Sequence, residues 1–227
     1  MALIVTAPFV LDWTPDDTRT PAPGEVRVRT LLSALSVSSE LSTVASGPFP
    51  ARLGYQTLGV VEERGAGVSL PLGARVVSTA GHVSHSLYQE AALIPVPEHV
   101  PDRVALTAIL GEETHKGIRK LAPQPGEAVL VVGAGLLGLL SVFNLTRRGV
   151  TRVTVLEPDA DRRALALVFG AAQAHAPGGL PHDHFDVALE CSASPAGFAE
   201  GLRHLRPGGR AVVLSDGNWG ALSLPPA

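Results

Sequence analysis

Two hundred and twenty-seven residues, 45% hydrophobic and 17% charged, carry enough apolar surface for one large or two modest cores and exclude a disordered chain. Eighteen basic against 21 acidic side chains leave a net charge of −3, which excludes the basic footprint of a nucleic-acid-binding protein. A single cysteine excludes a disulfide framework and any multi-cysteine zinc site.

The opening MALIVTAPFVLDW is apolar, but no basic residue precedes Arg19 and no small-residue cleavage site follows, so it does not read as a signal peptide. From there to about Leu121, short alternating segments stand between Pro and Gly clusters: EVRVRTLL at 25–32, TLGVVEERG at 57–65 and ARVVSTAG at 74–81. That is the pattern of antiparallel strands. The character changes at LAPQPGE, which predicts a β-rich domain over 1–122 and a second domain over 123–227. In the second, AVLVVG, LLGLLSVFNLTRRG, RVTVLE, DADRRALALVFG, FDVALEC, SPAGFAEGLRHLRPGG and RAVVLS alternate strand and helix, which implies an α/β unit with a parallel sheet wrapped by helices. The uncharged stretch Ala128–Thr146 has nearly the length of a membrane span. Its β-branched start and three glycines instead read as strand, turn and helix, and no membrane partner is expected. PGGLPHDH at 177–184 reads as a polar turn.

The strongest chemical signal is G-x-G-x-x-G, running Gly133, Ala134, Gly135, Leu136, Leu137, Gly138 directly after a strand and into a helix. Gly133 permits the tight turn, Gly135 lets a pyrophosphate approach the backbone, and Gly138 lets helix and strand pack closely. The helix start offers unpaired N–H groups and a positive dipole end to the phosphates. Glu157 stands 19 residues past Gly138 at the end of the next strand, where an acid accepts the ribose hydroxyls and repels a 2′-phosphate. NAD is therefore favoured, while Arg162 and Arg163 keep NADP open. The same glycines could merely pack a helix on a sheet, or serve a mononucleotide or S-adenosylmethionine.

With APGEVRVRT, LGYQTLGVVEERGAGV, LGARVVST, PGEAVLVVGAGLLGLL and RPGGRAVVLS in this order, the chain resembles the medium-chain dehydrogenase/reductase superfamily, which includes the zinc alcohol dehydrogenases and quinone reductases. The resemblance implies a GroES-like β domain followed by a Rossmann, doubly wound parallel sheet, with substrate between the two. It also implies departures. The ligand cysteine of zinc-dependent members is Ser38 here, their Gly-His-Glu motif is Gly54, Tyr55, Gln56, and the third ligand position falls on Leu110 or Glu112 in ILGEETHKG. The four-cysteine structural lobe is missing. A hydroxyl and a phenol are poor ligands for Zn²⁺, so no zinc and no other metal site is expected.

Without a Lewis acid, another group must stabilise developing charge. Tyr55 is the first candidate, as a phenol that donates to a carbonyl oxygen, with half-buried packing as the plain alternative. Glu40 reads as a base, as a group that merely orients a polar part of the substrate, or as a solvated helix-start charge, and Ser38 as a filler of the vacated ligand position. His82 and His85 form H-x-x-H, but in extended geometry residues i and i+3 face opposite sides, which argues against a metal. His115 reads as a helix-surface residue, and His182 and His184 as solvated. Cys191, at a strand end, reads as a small buried hydrophobe beside the cofactor. Full members of the resembled family continue past RAVVLSD through a further strand and helix, so the sheet reads as C-terminally truncated, with a homodimer one way to cover its edge. The expected function is a zinc-independent, NAD(P)-dependent oxidoreductase acting in the cytoplasm on a small organic alcohol, carbonyl or activated alkene. The alternatives are a catalytically degenerate dinucleotide-binding sensor or partner subunit, and a transferase using another adenosine cofactor.

Overall fold

In the computed structural model, which describes residues 1–182, 184–215 and 221–224, the apolar opening folds as a hairpin of β1 (Ala2–Ala7) and β2 (Val10–Thr14), turned at Phe9 with φ 57°. The alternating segments then form β3 (Glu25–Ser33), β5 (Thr57–Arg64) and β6 (Arg75–Ser78), with α1 (Val37–Ser46) and β4 (Ala51–Arg52) between the first two. β7 (His85–Gln89) and β8 (Ile94–Pro95) come next, then α2 (Asp102–Ala105) and α3 (Ala108–Leu121). Among the described residues the antiparallel strands make two sheets, ordered β2-β1-β4 and β7-β3-β5-β6-β8. Val26, Val28, Val61, Val76 and Leu93 form one buried cluster of the larger sheet, and Leu58, Val77 and Ala105 another.

The second half continues with β9 (Val129–Val132), α4 (Leu136–Arg147), β10 (Val153–Leu156), α5 (Ala160–Val168) and β11 (Gln173–His175), then β12 (Phe185–Glu190), α6 (Pro195–His204) and β13 (Leu205–Val213). These five strands are parallel, in the order β11-β10-β9-β12-β13, the arrangement of a dinucleotide-binding half-sheet. β9 and β10 are buried at every residue, as parallel strands covered on both faces must be. Val129 and Val131 pack with Leu139, Val142 and Leu145 of α4, whereas Leu130 and Val132 pack with Leu156, Phe185 and Ala188 on the other face. The uncharged stretch from 128 thus divides into β9, a turn and α4, and among the described residues no helix is long and apolar enough to cross a membrane. Two details differ from the sequence reading. The short edge strand β11 carries no strong periodic signal, and β13 begins at Leu205, taking in the RPGG read as the end of a helix.

The chain divides into two units, 1–109 and 110–227, a division that falls inside α3 rather than at 122/123. Ile118 and Leu121 on the C-terminal part of α3 are buried in the apolar cluster of the parallel sheet, so that part of the helix belongs to the second unit.

Candidate functional site

The C-terminal ends of β9, β10 and β12 bring the glycine turn, Glu157 and the Glu190–Ser192 segment to one edge of the second unit. The turn leaves β9 at Gly133, whose φ of 90° is a left-handed value, and a Cβ there would stand 2.9 Å from the Ser192 Cα. A Cβ on Gly138 would lie 1.9 Å from the Gly133 carbonyl oxygen, while one on Gly135 would meet nothing within 4 Å. Two glycines are therefore demanded by packing, and the middle one faces open space. Gly135 is the N-cap of α4, without a side-chain cap, and its carbonyl takes the first helical bond, from Leu139 N–H at 2.9 Å. The N–H groups of Leu136, Leu137 and Gly138 precede that bond, in the first turn where a helix binds anions.

Glu157 is 4% exposed. Its Oε2 accepts the Ala134 N–H at 2.7 Å and its Oε1 the Asp159 N–H at 3.0 Å. The carboxylate thus braces the glycine turn from the neighbouring strand, and each oxygen retains a further acceptor site. Asp159 caps α5 by accepting the Arg162 N–H at 2.9 Å. The two arginines diverge: the Arg163 guanidinium donates to the carbonyls of Glu157 and Pro158 at 2.8 and 2.6 Å, while Arg162 is exposed. Cys191 is buried, and the loss of solvation pushes its thiol up to about 12; its Sγ lies 3.8 Å from Ser141 Oγ. Its backbone is what meets the turn, since a Cβ on Gly133 would come within 3.1 Å of the Cys191 carbonyl carbon. Sequence reasoning passed over Glu190, also 4% exposed, whose carboxylate accepts the Ser192 N–H at 2.7 Å and the hydroxyls of Ser192 and Ser215. An acid at the end of a buried strand, as at Glu157, was the available signal.

In the first unit, Tyr55 is half-buried and its hydroxyl donates to Ser36 Oγ at 2.6 Å, which in turn donates to Ser39 Oγ at 3.2 Å. Glu40 is 8% exposed, which corrects its reading as a solvated helix-start charge. Its Oε1 reaches back to the Ser36 N–H at 2.7 Å and its Oε2 lies 2.8 Å from His82 Nε2, so the start of α1 and the loop before β7 together desolvate it. Ser38, in the first turn of α1, makes no side-chain hydrogen bond among the described residues. His85 lies between Asp16 and Glu62, at 3.4 and 3.3 Å. Contrary to the opposite-side expectation, His82 and His85 line one cavity, because His82 precedes β7 in irregular backbone and the two are not on one extended segment. Gln56 is 1% exposed, and neither atom of its amide has a partner among the described residues.

His115 is half-buried on α3, Leu110 is buried in the core, and Glu112 is exposed and paired with Lys116 at 2.7 Å. His182 and His184 are exposed, and Asp183 between them lies outside the described residues. Among the described residues no three His, Cys, Asp or Glu side chains gather at metal-binding distance. A serine hydroxyl, a phenol already bonded to Ser36, and a buried leucine or an ion-paired carboxylate do not fit zinc's preference for thiolate, imidazole and carboxylate. The open face of Gly135, the first-turn N–H groups of α4 and the Glu157 carboxylate do fit a dinucleotide.

No protein-family model matches the chain. It is 31% identical over 200 residues to glucose 1-dehydrogenase 1 of Caldivirga maquilingensis, covering 71% of this chain and 57% of that protein. Over 173 residues it is 29% identical to geraniol dehydrogenase of Castellaniella defragrans, covering 67% of this chain and 45% of that protein. The chain thus spans about half the length of these curated relatives. Among solved structures, the alcohol dehydrogenase TADH from Thermus sp. ATN1 matches with a TM-score of 0.83 at 20% identity, covering 100% of this chain and 80% of that one. The acetophenone reductase of Geotrichum candidum in complex with NAD matches with a TM-score of 0.79 at 19% identity, covering 94% and 76%.

Proposed function

We propose that this chain, which shares its fold with an alcohol dehydrogenase and an acetophenone reductase, is a member of the medium-chain dehydrogenase/reductase superfamily and binds NAD(H) on the turn Gly133–Gly138. There it exchanges hydride with a small alcohol, carbonyl compound or activated alkene, without zinc. One observation carries the reading: of the three motif glycines, only Gly135 faces open space, and it does so at the start of α4, one residue from the Ala134 N–H held by Glu157. A turn that served packing alone would have no use for that space.

The open face of Gly135 and the N–H groups of Leu136 and Leu137 would hold the pyrophosphate. Glu157 has acceptor capacity left for the ribose hydroxyls, and its charge opposes a 2′-phosphate, which favours NAD; Arg162 is the exposed cation on the same segment that would temper this. When bound, the dinucleotide would supply the hydride-carrying nicotinamide. Tyr55 gives its proton to the carbonyl oxygen by turning its hydroxyl hydrogen away from Ser36 Oγ, and the phenolate takes one back as the Ser36 and Ser39 hydroxyls reverse the donor sense they have here. Glu40 holds the Ser36 backbone and so positions that donor, and Ser38 offers its hydroxyl for orienting a polar substrate.

Calorimetric titration of the metal-free protein with NADH and NADPH tests the cofactor half, and a screen of alcohols, carbonyls and alkenes for hydride transfer tests the catalytic half. The expected result is micromolar NADH binding, weaker NADPH binding and turnover that falls in Tyr55→Phe. Binding without turnover of any of the three classes would leave a dinucleotide-binding partner or sensor. Binding of neither dinucleotide would overturn the whole reading.

A further inference from the structure

A cavity of about 360 Å³ lies within the first unit, walled in part by Trp13, Arg29, Thr30, Ser33, His82 and His85. Thr30 and Ser33 are three apart on β3, where regular pleating would send them to opposite faces. The register shift between Thr30 and Leu32 is a bulge that brings both to the same wall. Ser33 is exposed, and its Oγ lies 2.9 Å from His82 Nδ1, while His82 Nε2 lies 2.8 Å from Glu40 Oε2. A carboxylate only accepts, so the neutral imidazole carries its proton on Nε2 and presents the Nδ1 lone pair to the Ser33 hydroxyl.

The ring is firmly held. It is largely buried, as is Glu40; the His82 N–H donates to the Leu53 carbonyl and the His82 carbonyl accepts the Leu3 N–H, both at 2.8 Å. Gly54, at φ 86°, leaves it room, since a Cβ there would stand 2.9 Å from His82 Cε1. Thr30 also lines this cavity, with its Oγ1 buried and without a partner among the described residues.

We infer that Ser33 is the nucleophile of a second, dinucleotide-independent site that hydrolyses small carboxylic esters, with His82 as general base and Glu40 as its positioning residue. Ser33 Oγ bonds to the ester carbonyl carbon as its proton passes to His82 Nδ1, and the carbonyl electron pair moves onto oxygen. The pair returns, the ester C–O bond breaks, and His82 hands its proton to the leaving alcohol. Water then attacks the acyl-Ser33, giving a proton to His82. The C–Oγ bond breaks, Ser33 recovers that proton, and the carboxylic acid departs. Glu40 Oε2 stays on Nε2 and steadies the imidazolium by that hydrogen bond. Trp13 supplies an apolar wall for the acyl or alcohol group.

Two measurements on the full chain test this. The first follows p-nitrophenolate release from p-nitrophenyl acetate, and the second maps the adduct of a fluorophosphonate probe by mass spectrometry. One adduct on Ser33 is expected, with loss of the adduct and a fall in kcat of at least about 100-fold in Ser33→Ala. Glu40→Gln should lower kcat by about 10-fold or more with KM unchanged, a split that general loosening of the unit would not give. An adduct on another residue, hydrolysis by Ser33→Ala at the original rate, or turnover no faster than free imidazole at the same concentration would each overturn the assignment. Labelling of the unsubstituted protein decides the matter even if a variant fails to fold.

Discussion

Gly135 and Gly138 separate binding from folding at single positions. Gly135 sits at φ −70° and ψ −170°, a conformation open to any residue, and a side chain there meets no protein atom. Gly135→Val, at the N-cap of α4, should therefore cost no more than about 1 kcal/mol of stability yet lose dinucleotide affinity by at least about 100-fold, as read by calorimetry. Retained affinity would move the phosphates elsewhere. Glu157→Ala leaves the N–H groups of Ala134 and Asp159 without their acceptor, which should cost about 1–3 kcal/mol in denaturant titration. It should also weaken NADH more than NADPH; an unchanged preference would separate Glu157 from the ribose. At Cys191, burial that pushes the thiol up to about 12 leaves almost no thiolate at pH 8. The folded protein should resist alkylation there and react once unfolded.

Elements are secured by caps and ion pairs whose pH behaviour comes from their geometry. Ser194 caps α6 by accepting the Gly197 N–H at 3.0 Å, with Pro195 in the first turn, as Asp159 caps α5. Ahead of β3, the Arg19 guanidinium at 2.6 Å and the Ala22 N–H at 2.9 Å hold the Glu25 carboxyl down at about 2. Because the folded value lies below the unfolded one, the stabilisation is present above about 4.5 and lost as the pH falls through about 2. An NMR titration of Glu25 should show that low midpoint, and Arg19→Ala should raise it toward 4.5. In α4, Gly138→Ala would drive a methyl group to 1.9 Å from the Gly133 oxygen. It should lower stability by at least about 1–3 kcal/mol, with dinucleotide binding lost as a consequence of the displaced turn.

For the whole molecule, the division at 109/110 assigns most of α3 to the parallel-sheet unit. Ile118 is fully buried there, so Ile118→Ala should cost about 2–5 kcal/mol. The loss should appear as an earlier transition of the second unit, monitored by amide exchange in β9, β10 and β12, while β3 and β5 keep their protection. An equal loss of protection in β3 and β5 would contradict that division. Metal analysis of the purified chain should give well under one zinc per molecule, and stoichiometric zinc would overturn the reading of Ser38 and Tyr55.

The sequence by itself determined the order and type of the main elements, because alternation in EVRVRTLL, the β-branched AVLVV and the glycine spacing at 133, 135 and 138 are local signals. It also determined that Glu157 comes directly after the second parallel strand. Only the tertiary structure decided what Glu40, His82 and Ser33 do together, since His82 stands 42 residues from Glu40 and 49 from Ser33. No periodicity links residues that far apart; burial from different elements and a one-residue bulge in β3 bring them into contact. The same reason separates Arg162 from Arg163 and Gly135 from its neighbours. Spacing sets where a side chain is attached, and packing sets whether it meets protein or open space.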